Sequence, residues 1–395
     1  MNLFFLFIAF AFYGIRHEDP ECKMTTPEII QHWGYPAEIY TVATEDGYIL
    51  ELHRIPHGKS NRTSRKSRPV VFLQHGLECS SANWVANLPN ESAGFVFADA
   101  GFDVWLGNMR GNTYSTKHVN LSTADSNFWK WTWDEMANYD LESMIEKALN
   151  VSGKKQLYYI GHSQGTLTMF SKLSMDQVFS KKIRNFFALA PIGSVAHIKG
   201  MLRLLAEVLR PEFYLYFDIF GAGKFLPNNW IMKLIANRIC GVMAVKNELC
   251  DNIIFLISGP EGNQMNKTRT PVYLSHTPAD TSSMNVRHWI QMVMKGTVAK
   301  YDYGKRENIR KYRQSNPPEY NFTQIHTPIY LYSGDEDWLA NHKDIYGYLI
   351  PRIKHIVLPG YTHLDFIWGL RAANDLYAPI VEIIKEAEKK RATEE

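Results

Sequence analysis

The sequence predicts an α/β fold in which helices flank a mostly parallel central sheet and a mainly helical cap is inserted. Short apolar runs alternate with helix-like stretches at both ends of the 395-residue chain, which is typical of this class. The alternation stops near residue 194 and resumes near residue 327. One apolar run also leads into a Gly-x-Ser-x-Gly turn, a pattern of a sharp strand-to-helix connection. We expect a core of residues 19–193 and 327–390 and a cap of residues 194–326.

The N-terminal segment has the pattern of a signal peptide. Residues 3–13 are almost wholly apolar, and small residues at Ala9 and Ala11 suit a cleavage site. We expect a signal peptide over residues 1–14, cleaved after Ala11 or Gly14. A membrane span needs about 20 apolar residues, and this run is shorter, so we expect no transmembrane anchor.

The predicted strands follow in order along the chain. Glu38–Thr44 and Tyr48–Ile55 flank a short turn and predict a β-hairpin. Later apolar runs are typical of parallel strands buried on both faces. They are Pro69–Gln74, Phe102–Leu106, Gln156–Ile160, Phe186–Ala190, Pro328–Tyr332 and His355–Leu358.

Helical periodicity is clearest in Asp134–Asn150, where apolar residues recur at spacings of three and four and Gly153 follows the end. The cap contains further helix-like runs at Met201–Leu209 and Asn229–Ile239. Its high apolar content fits either a buried cap core or a surface that faces lipid.

The Gly-x-Ser-x-Gly turn centres on Ser163, which we predict to be a nucleophile. A serine hydroxyl needs a base to take its proton and an acid to orient that base. Asp335 and Asp337 both follow the penultimate strand, and spacing alone does not choose between them. His363 lies in a short loop after the last strand and is the candidate base, while His355 begins that strand and is less suited.

An acyl-transfer site also needs donors for the oxyanion. His75-Gly76-Leu77 directly follows the third predicted strand, so the backbone N–H groups of Leu77 and Gln164 are the candidates. No cluster of Cys and His residues suggests a metal, and the mechanism needs no cofactor, so we expect neither.

The charge and the modification signals narrow the class of protein further. A net charge of +3 without a basic stripe argues against a nucleic-acid partner.

Among the four cysteines, Cys240 and Cys250 are placed to close a short loop, whereas Cys22 and Cys79 either pair with each other or stay free. Six glycosylation sequons favour the secretory route. They lie at Asn61, Asn90, Asn120, Asn150, Asn266 and Asn321.

Several longer motifs together resemble the acid lipase family, which includes gastric and lysosomal acid lipases and has the α/β-hydrolase fold. The resemblance covers residues 19–377. It rests on Trp33-Gly34-Tyr35-Pro36, Thr44-Glu45-Asp46-Gly47-Tyr48-Ile49-Leu50, Phe72-Leu73-Gln74-His75-Gly76-Leu77, Asp99-Ala100-Gly101-Phe102-Asp103-Val104-Trp105, Gly161-His162-Ser163-Gln164-Gly165 and His363-Leu364-Asp365-Phe366-Ile367-Trp368.

The resemblance implies a catalytic triad of Ser163, Asp337 and His363, and oxyanion donors at Leu77 and Gln164. It also implies a mobile lid over the active site, formed by Phe225–Ile254. A disulfide between Cys240 and Cys250 is similar to the family's, although this loop is one residue longer. Departures from the family pattern are Cys22, Cys79, Ser258 in place of a further cysteine, and Asp280 in place of glycine.

We therefore expect a secretory-route hydrolase of neutral lipid esters, such as triacylglycerols or cholesteryl esters, which acts at a lipid droplet or emulsion interface. Its destination is the lysosome lumen or the extracellular space. Two alternatives stay open: a non-catalytic lipid carrier that uses the apolar cap, and an esterase for small soluble esters. The sequence predicts no oligomeric state.

Overall fold

The chain is built on one large, mostly parallel sheet. The computed structural model describes residues 19–60, 68–200, 263–348 and 354–394, and in between residues 203, 206, 207, 210, 211, 214, 217 and 221–225. Within them, nine strands form the sheet in the order β1-β2-β4-β3-β6-β7-β10-β11, with β5 paired to β2. The strands are β1 Glu38–Ala43, β2 Tyr48–Ile55, β3 Val70–Gln74, β4 Asp103–Gly107, β5 Lys117–His118, β6 Leu157–His162, β7 Ile183–Leu189, β8 Lys224–Phe225, β9 Thr281–Ser282, β10 Ile329–Gly334 and β11 Lys354–Leu358.

The sheet is antiparallel at one edge and parallel elsewhere. β1 and β2 form the expected hairpin, and β2 also runs antiparallel to β4. From β4 through β3, β6, β7 and β10 to β11 every pairing is parallel. All five residues of β3 and of β4 are buried, because helices cover both faces of a parallel sheet.

The strand predictions were correct in place and differ at the ends. β7 begins at Ile183, three residues before the predicted start, because Ile183 and Asn185 already pair with β6. β6 and β10 each extend two residues further than predicted, to His162 and Gly334. Small and polar residues end the apolar run in the sequence, but the ladder of backbone hydrogen bonds continues past them.

The described helices precede, connect and follow the strands along the chain. They are α1 Thr26–His32, α2 Ala93–Asp99, α3 Trp133–Glu135, α4 Leu141–Ser152, α5 Gln164–Met175, α6 Gln177–Ser180, α7 Thr270–His276, α8 Ser283–Lys295, α9 Lys305–Tyr312, α10 His342–Tyr348, α11 Asp365–Trp368 and α12 Ala378–Glu394.

The helix predicted over Asp134–Asn150 is α3 and α4 joined by a π-helical turn, Met136–Asp140. It begins at a capping box in which Thr132 and Glu135 bond each other's backbone N–H groups. It ends at Gly153, whose φ of +67° is the left-handed conformation of a helix C-cap. The π-helical turn leaves no trace in the apolar spacing.

The described residues between β7 and β10 contain α7, α8, α9 and the antiparallel pair β8–β9. The exact limits of the cap stay a prediction. Several predicted features lie outside the described residues: the signal peptide, Asn61, Cys240, Cys250, Asn229–Ile239 and all of the lid beyond Phe225. In the part of the chain that the structure describes, no helix is long and apolar enough to span a membrane.

The predicted glycosylation sites can be compared with the exposure of their asparagine side chains. Asn90, Asn120, Asn150 and Asn321 are exposed, whereas Asn266 is half-buried. The side-chain nitrogen of Asn266 donates a hydrogen bond to a Glu91 carboxylate oxygen at 3.2 Å, and a glycan on that nitrogen would disturb the contact.

Cys79 is a free, buried thiol. The structure therefore contains no disulfide between Cys79 and Cys22. The buried Cys79 sulfur accepts a hydrogen bond from Asn83 Nδ2 at 3.3 Å.

A buried arginine joins the turn of the β1–β2 hairpin to the π-helical turn that precedes α4. Arg110 is 1% exposed, and its Nε donates to Asp140 Oδ1 at 2.8 Å. Its two terminal nitrogens donate to the carboxylate of Asp46 at 2.6 and 2.9 Å, and its guanidinium lies 4.0 Å from the centre of the Tyr48 ring. Burial raises the pKa of Asp140, and the Arg110 charge opposes that shift.

We predict that Arg110→Met lowers the free energy of unfolding by about 3–5 kcal/mol, because it leaves the Asp140 carboxylate buried without its cation. The urea midpoint measures the change. Arg310→Met is the matched control, since Arg310 is exposed and its ion pair with Glu307 is worth about 1 kcal/mol or less. Equal midpoints for the two variants would contradict the role given to Arg110.

Candidate active site

The candidate residues come from four loops at one edge of the sheet. Leu77 follows β3, Ser163 follows β6, Asp337 follows β10 and His363 follows β11. These strands are parallel, so their carboxyl ends meet on the same side of the sheet. Residues that lie far apart in the sequence are brought to one place by this topology.

Ser163 occupies a strained turn between β6 and α5. Its φ of +52° and ψ of −121° lie in a region that residues with a side chain rarely adopt. Its backbone N–H donates to Leu189 of β7 at 3.1 Å, and its carbonyl accepts from the Thr166 hydroxyl at 2.6 Å. Neighbouring elements therefore hold the turn, and Ser163 is 6% exposed. Backbone strain of this kind concentrates at functional sites.

Close backbone packing explains the glycines around the serine. A Cβ on Gly165 would lie 2.5 Å from the Gln74 carbonyl oxygen and 2.8 Å from that of His75. A Cβ on Gly76 would lie 2.9 Å from the Ser163 Cβ. The end of β3, the turn and the start of α5 approach each other so closely that only glycine fits at both positions.

His363 and Asp337 form a buried pair. The His363 Nδ1 lies 2.9 Å from Asp337 Oδ2 and 3.0 Å from Oδ1. Because a carboxylate can only accept, Nδ1 carries the proton and donates, which leaves Nε2 as the ring nitrogen that can take a proton. Asp337 Oδ1 also accepts from the backbone N–H groups of Leu339 and Ala340 at 2.8 Å each.

The structure separates the two aspartates that spacing left open. Asp337 is 4% exposed and contacts His363. Asp335 is exposed, and its carboxylate accepts from the Gly360 backbone at 2.6 Å, a contact that joins the loops after β10 and β11. His355 lies on β11 and contacts the Ser333 hydroxyl at 2.7 Å. It takes no part in the His363–Asp337 pair.

His162 connects the serine turn to the histidine loop. It precedes Ser163, its Nε2 donates to the His363 carbonyl at 2.8 Å, and the two imidazole rings lie 4.9 Å apart. Burial, followed by the nearby His363, lowers the pKa of His162 to about 3. His162 therefore stays neutral and acts as a hydrogen-bond donor.

A second buried histidine supports the Leu77 loop. The His75 Nδ1 donates to the Gly76 carbonyl at 2.8 Å, and its Nε2 accepts from the Met109 backbone at 3.2 Å. Burial lowers the pKa of His75 to about 4, so this side chain is also neutral. The loop that carries Leu77 is thus fixed from two sides.

Gln164 is the first residue of α5, and the first N–H groups of a helix have no partner within it. Its side chain is held by the insertion: Gln164 Oε1 accepts from Trp289 Nε1 at 2.7 Å and from Asn285 Nδ2 at 3.0 Å. Sequence reasoning missed Trp289 and Asn285, which lie more than 120 positions away along the chain. No local pattern indicates such pairs.

Among the described residues, no group of three or more His, Cys, Asp or Glu side chains is arranged to hold a metal ion. The arrangement offers a strained serine, an imidazole with one free nitrogen and a buried carboxylate. These are the parts that acyl transfer requires.

Two family models match the sequence. Residues 69–370 match the alpha/beta hydrolase fold, and residues 26–88 match the partial alpha/beta-hydrolase lipase region.

Similar proteins carry lipase names. The chain is 60% identical over 375 residues to lipase lipl-1 of Caenorhabditis elegans, with 93% of each chain covered. It is 44% identical over 383 residues to human gastric triacylglycerol lipase, covering 95% of each. It is also 44% identical to human lysosomal acid lipase/cholesteryl ester hydrolase, covering 93% of this chain and 92% of that one.

Among solved structures, one from Sulfolobus solfataricus has a TM-score of 0.60 at 15% identity and covers 89% of this chain and 94% of that one. A likeness at this level of identity supports the fold.

We predict that Gly165→Ala destabilises the fold by about 1–3 kcal/mol or more, because its Cβ meets backbone atoms that have no room to move. The thermal midpoint measures this, and the rate on a soluble ester should fall as the serine turn shifts. Gly223→Ala is the control, since no atom of the described residues lies within 4 Å of its added Cβ. If both variants keep wild-type midpoints and rates, the packing at Gly165 does not constrain the turn.

Proposed function

Since the chain belongs to the acid lipase family of α/β hydrolases and is a carboxylic ester hydrolase of the serine hydrolase class, we propose that it cleaves neutral lipid esters through an acyl-enzyme on Ser163. The observation that carries the mechanism is the buried 2.9 Å contact between His363 and Asp337, at the same sheet edge as Ser163. The names of the human relatives support triacylglycerols or cholesteryl esters as substrates.

In the proposed first step, the Ser163 oxygen attacks the ester carbonyl while His363 Nε2 takes its proton. Asp337 keeps the proton of His363 on Nδ1 and stabilises the imidazolium that forms. The imidazolium then gives its proton to the departing alcohol, which leaves an acyl group on Ser163. Water, activated by the same imidazole, releases the fatty acid and restores the serine.

The backbone N–H groups of Leu77 and Gln164 are the proposed donors to the tetrahedral oxyanion. Removing one such donor costs roughly 3 kcal/mol of transition-state stabilisation in enzymes of this type. The Gln164 side-chain contacts and the His75 support keep the two donors in place before substrate arrives.

We also propose that the protein follows the secretory route to the lysosome lumen or the extracellular space. The four exposed sequon asparagines support this route. The proposed site of action is the surface of a lipid droplet or emulsion.

A non-catalytic lipid carrier, the first alternative, is inconsistent with a carboxylic ester hydrolase, and a carrier has no need of a strained serine turn beside an oriented histidine. An esterase for small soluble esters stays the second alternative, since it would use the same chemistry.

We expect Asp337→Asn to lower kcat by about four orders of magnitude, because an amide in that position favours the wrong histidine tautomer. Asp335→Asn is the matched control, because Asp335 lies in the same loop after β10. This variant should keep near-wild-type kcat. Ser163→Ala should abolish both hydrolysis and labelling by a fluorophosphonate. Equal losses in the two aspartate variants would reject Asp337 as the orienting acid, and an unlabelled but folded wild type would reject Ser163 as the nucleophile.

We expect rates on emulsified triacylglycerol or cholesteryl ester to exceed those on short esters below their solubility limit. The measurement is acid release at constant pH from matched molar amounts of each ester, with Ser163→Ala as the blank. A preference for dissolved short esters, with no gain when the substrate forms an interface, would instead identify a small-ester esterase.

A further inference from the structure

The loop that follows the proposed oxyanion donor Leu77 contains a second strained residue, Glu78. Its φ of +54° is left-handed, which is costly for a residue with a side chain. The Glu78 carbonyl accepts from the Ala279 backbone at 2.6 Å. A residue of the inserted segment therefore holds the conformation of the loop next to Leu77.

The Glu78 side chain lies in a poor environment for a charge. Its Oε1 is buried without a hydrogen-bond partner in the part of the chain that the structure describes. Burial first, and the neighbouring Asp280 second, raise the pKa of Glu78 to about 8. An isolated buried carboxylate is strongly disfavoured, whereas the protonated acid is tolerated.

Among the described residues, Asp280 is the charged group that shifts the pKa of Glu78. Asp280 faces it from the inserted segment, and Asp280 is 9% exposed and forms an ion pair with Lys224 of β8 at 2.6 Å. On its own loop the neighbour is Cys79, whose thiol has its pKa raised to about 12, by burial first and then by Glu78. Lys224 reaches this cluster through its ion pair with Asp280.

We propose that Glu78 is a positioning residue for the oxyanion donor Leu77 and that it performs this role only when its carboxyl is protonated. The inference rests on the proposed function, because it presumes that the Leu77 N–H stabilises the transition state. With Glu78 neutral, the loop rests against Ala279 and Asp280. With Glu78 ionised, two carboxylates face each other across the contact, the hydrogen bond to Ala279 weakens and the Leu77 peptide moves.

The direction of the pH dependence follows from the raised pKa. The protonated form dominates below pH 8, and a group with a pKa of about 8 has lost about nine tenths of its protons by pH 9. Activity should therefore fall about tenfold between pH 7 and 9. Because oxyanion donors act in the transition state, the loss should appear in kcat rather than in KM.

The test compares kcat and KM on soluble p-nitrophenyl butyrate from pH 5 to 9.5. We expect wild type and the exposed control Glu45→Gln to lose activity above pH 8, and Glu78→Gln, which cannot ionise, to change less than twofold between pH 7 and 9. Asp280→Asn removes the carboxylate that repels ionised Glu78, so it should make the alkaline loss of kcat smaller than in wild type.

A Glu78→Gln variant with the same alkaline loss as wild type would overturn the inference, as would a wild type whose kcat is constant up to pH 9.5. Either result leaves the proposed function standing. A Ser163→Ala variant that keeps hydrolysing the ester would instead refute the proposed mechanism, so the two failures are distinguishable.

Discussion

The backbone of Ser163 is the constraint on which the rest of the site depends. A residue with a side chain reaches φ of +52° only when its surroundings compensate the strain. Here β7 binds the Ser163 N–H, Thr166 binds its carbonyl, and the glycines at 76 and 165 let the end of β3 approach the turn. The turn, the sheet edge and the start of α5 are therefore one packed unit, and the serine side chain is placed by backbone atoms.

The inserted segment belongs to this unit as much as the core does. Trp289 and Asn285 of α8 bond the Gln164 side chain, and Ala279 bonds the backbone of Glu78. Both proposed oxyanion donors are thus braced by residues of the segment between β7 and β10. This arrangement makes the geometry of the donors sensitive to the position of that segment.

Features set by local sequence could be predicted, whereas features set by contacts between distant residues could not. The strand-turn-helix at Ser163 is local, so the glycine spacing predicted it, and buried strands such as β3 were visible as apolar runs. Asp335 and Asp337 leave the same strand, and only tertiary packing, which exposes the first and turns the second toward His363, separates them without reference to relatives. The Gln164–Trp289 bond and the ionisation of Glu78 depend on contacts across more than 100 residues.

The most direct test of the account is a crystal structure of the protein after reaction with a phosphonate ester that mimics the tetrahedral intermediate. The account predicts phosphorus bonded to Ser163 Oγ, His363 Nε2 within hydrogen-bond distance of that oxygen, and the phosphonyl oxygen about 2.7–3.1 Å from the backbone nitrogens of Leu77 and Gln164. A phosphonate attached to another residue, or a phosphonyl oxygen that contacts neither nitrogen, would contradict the central claim.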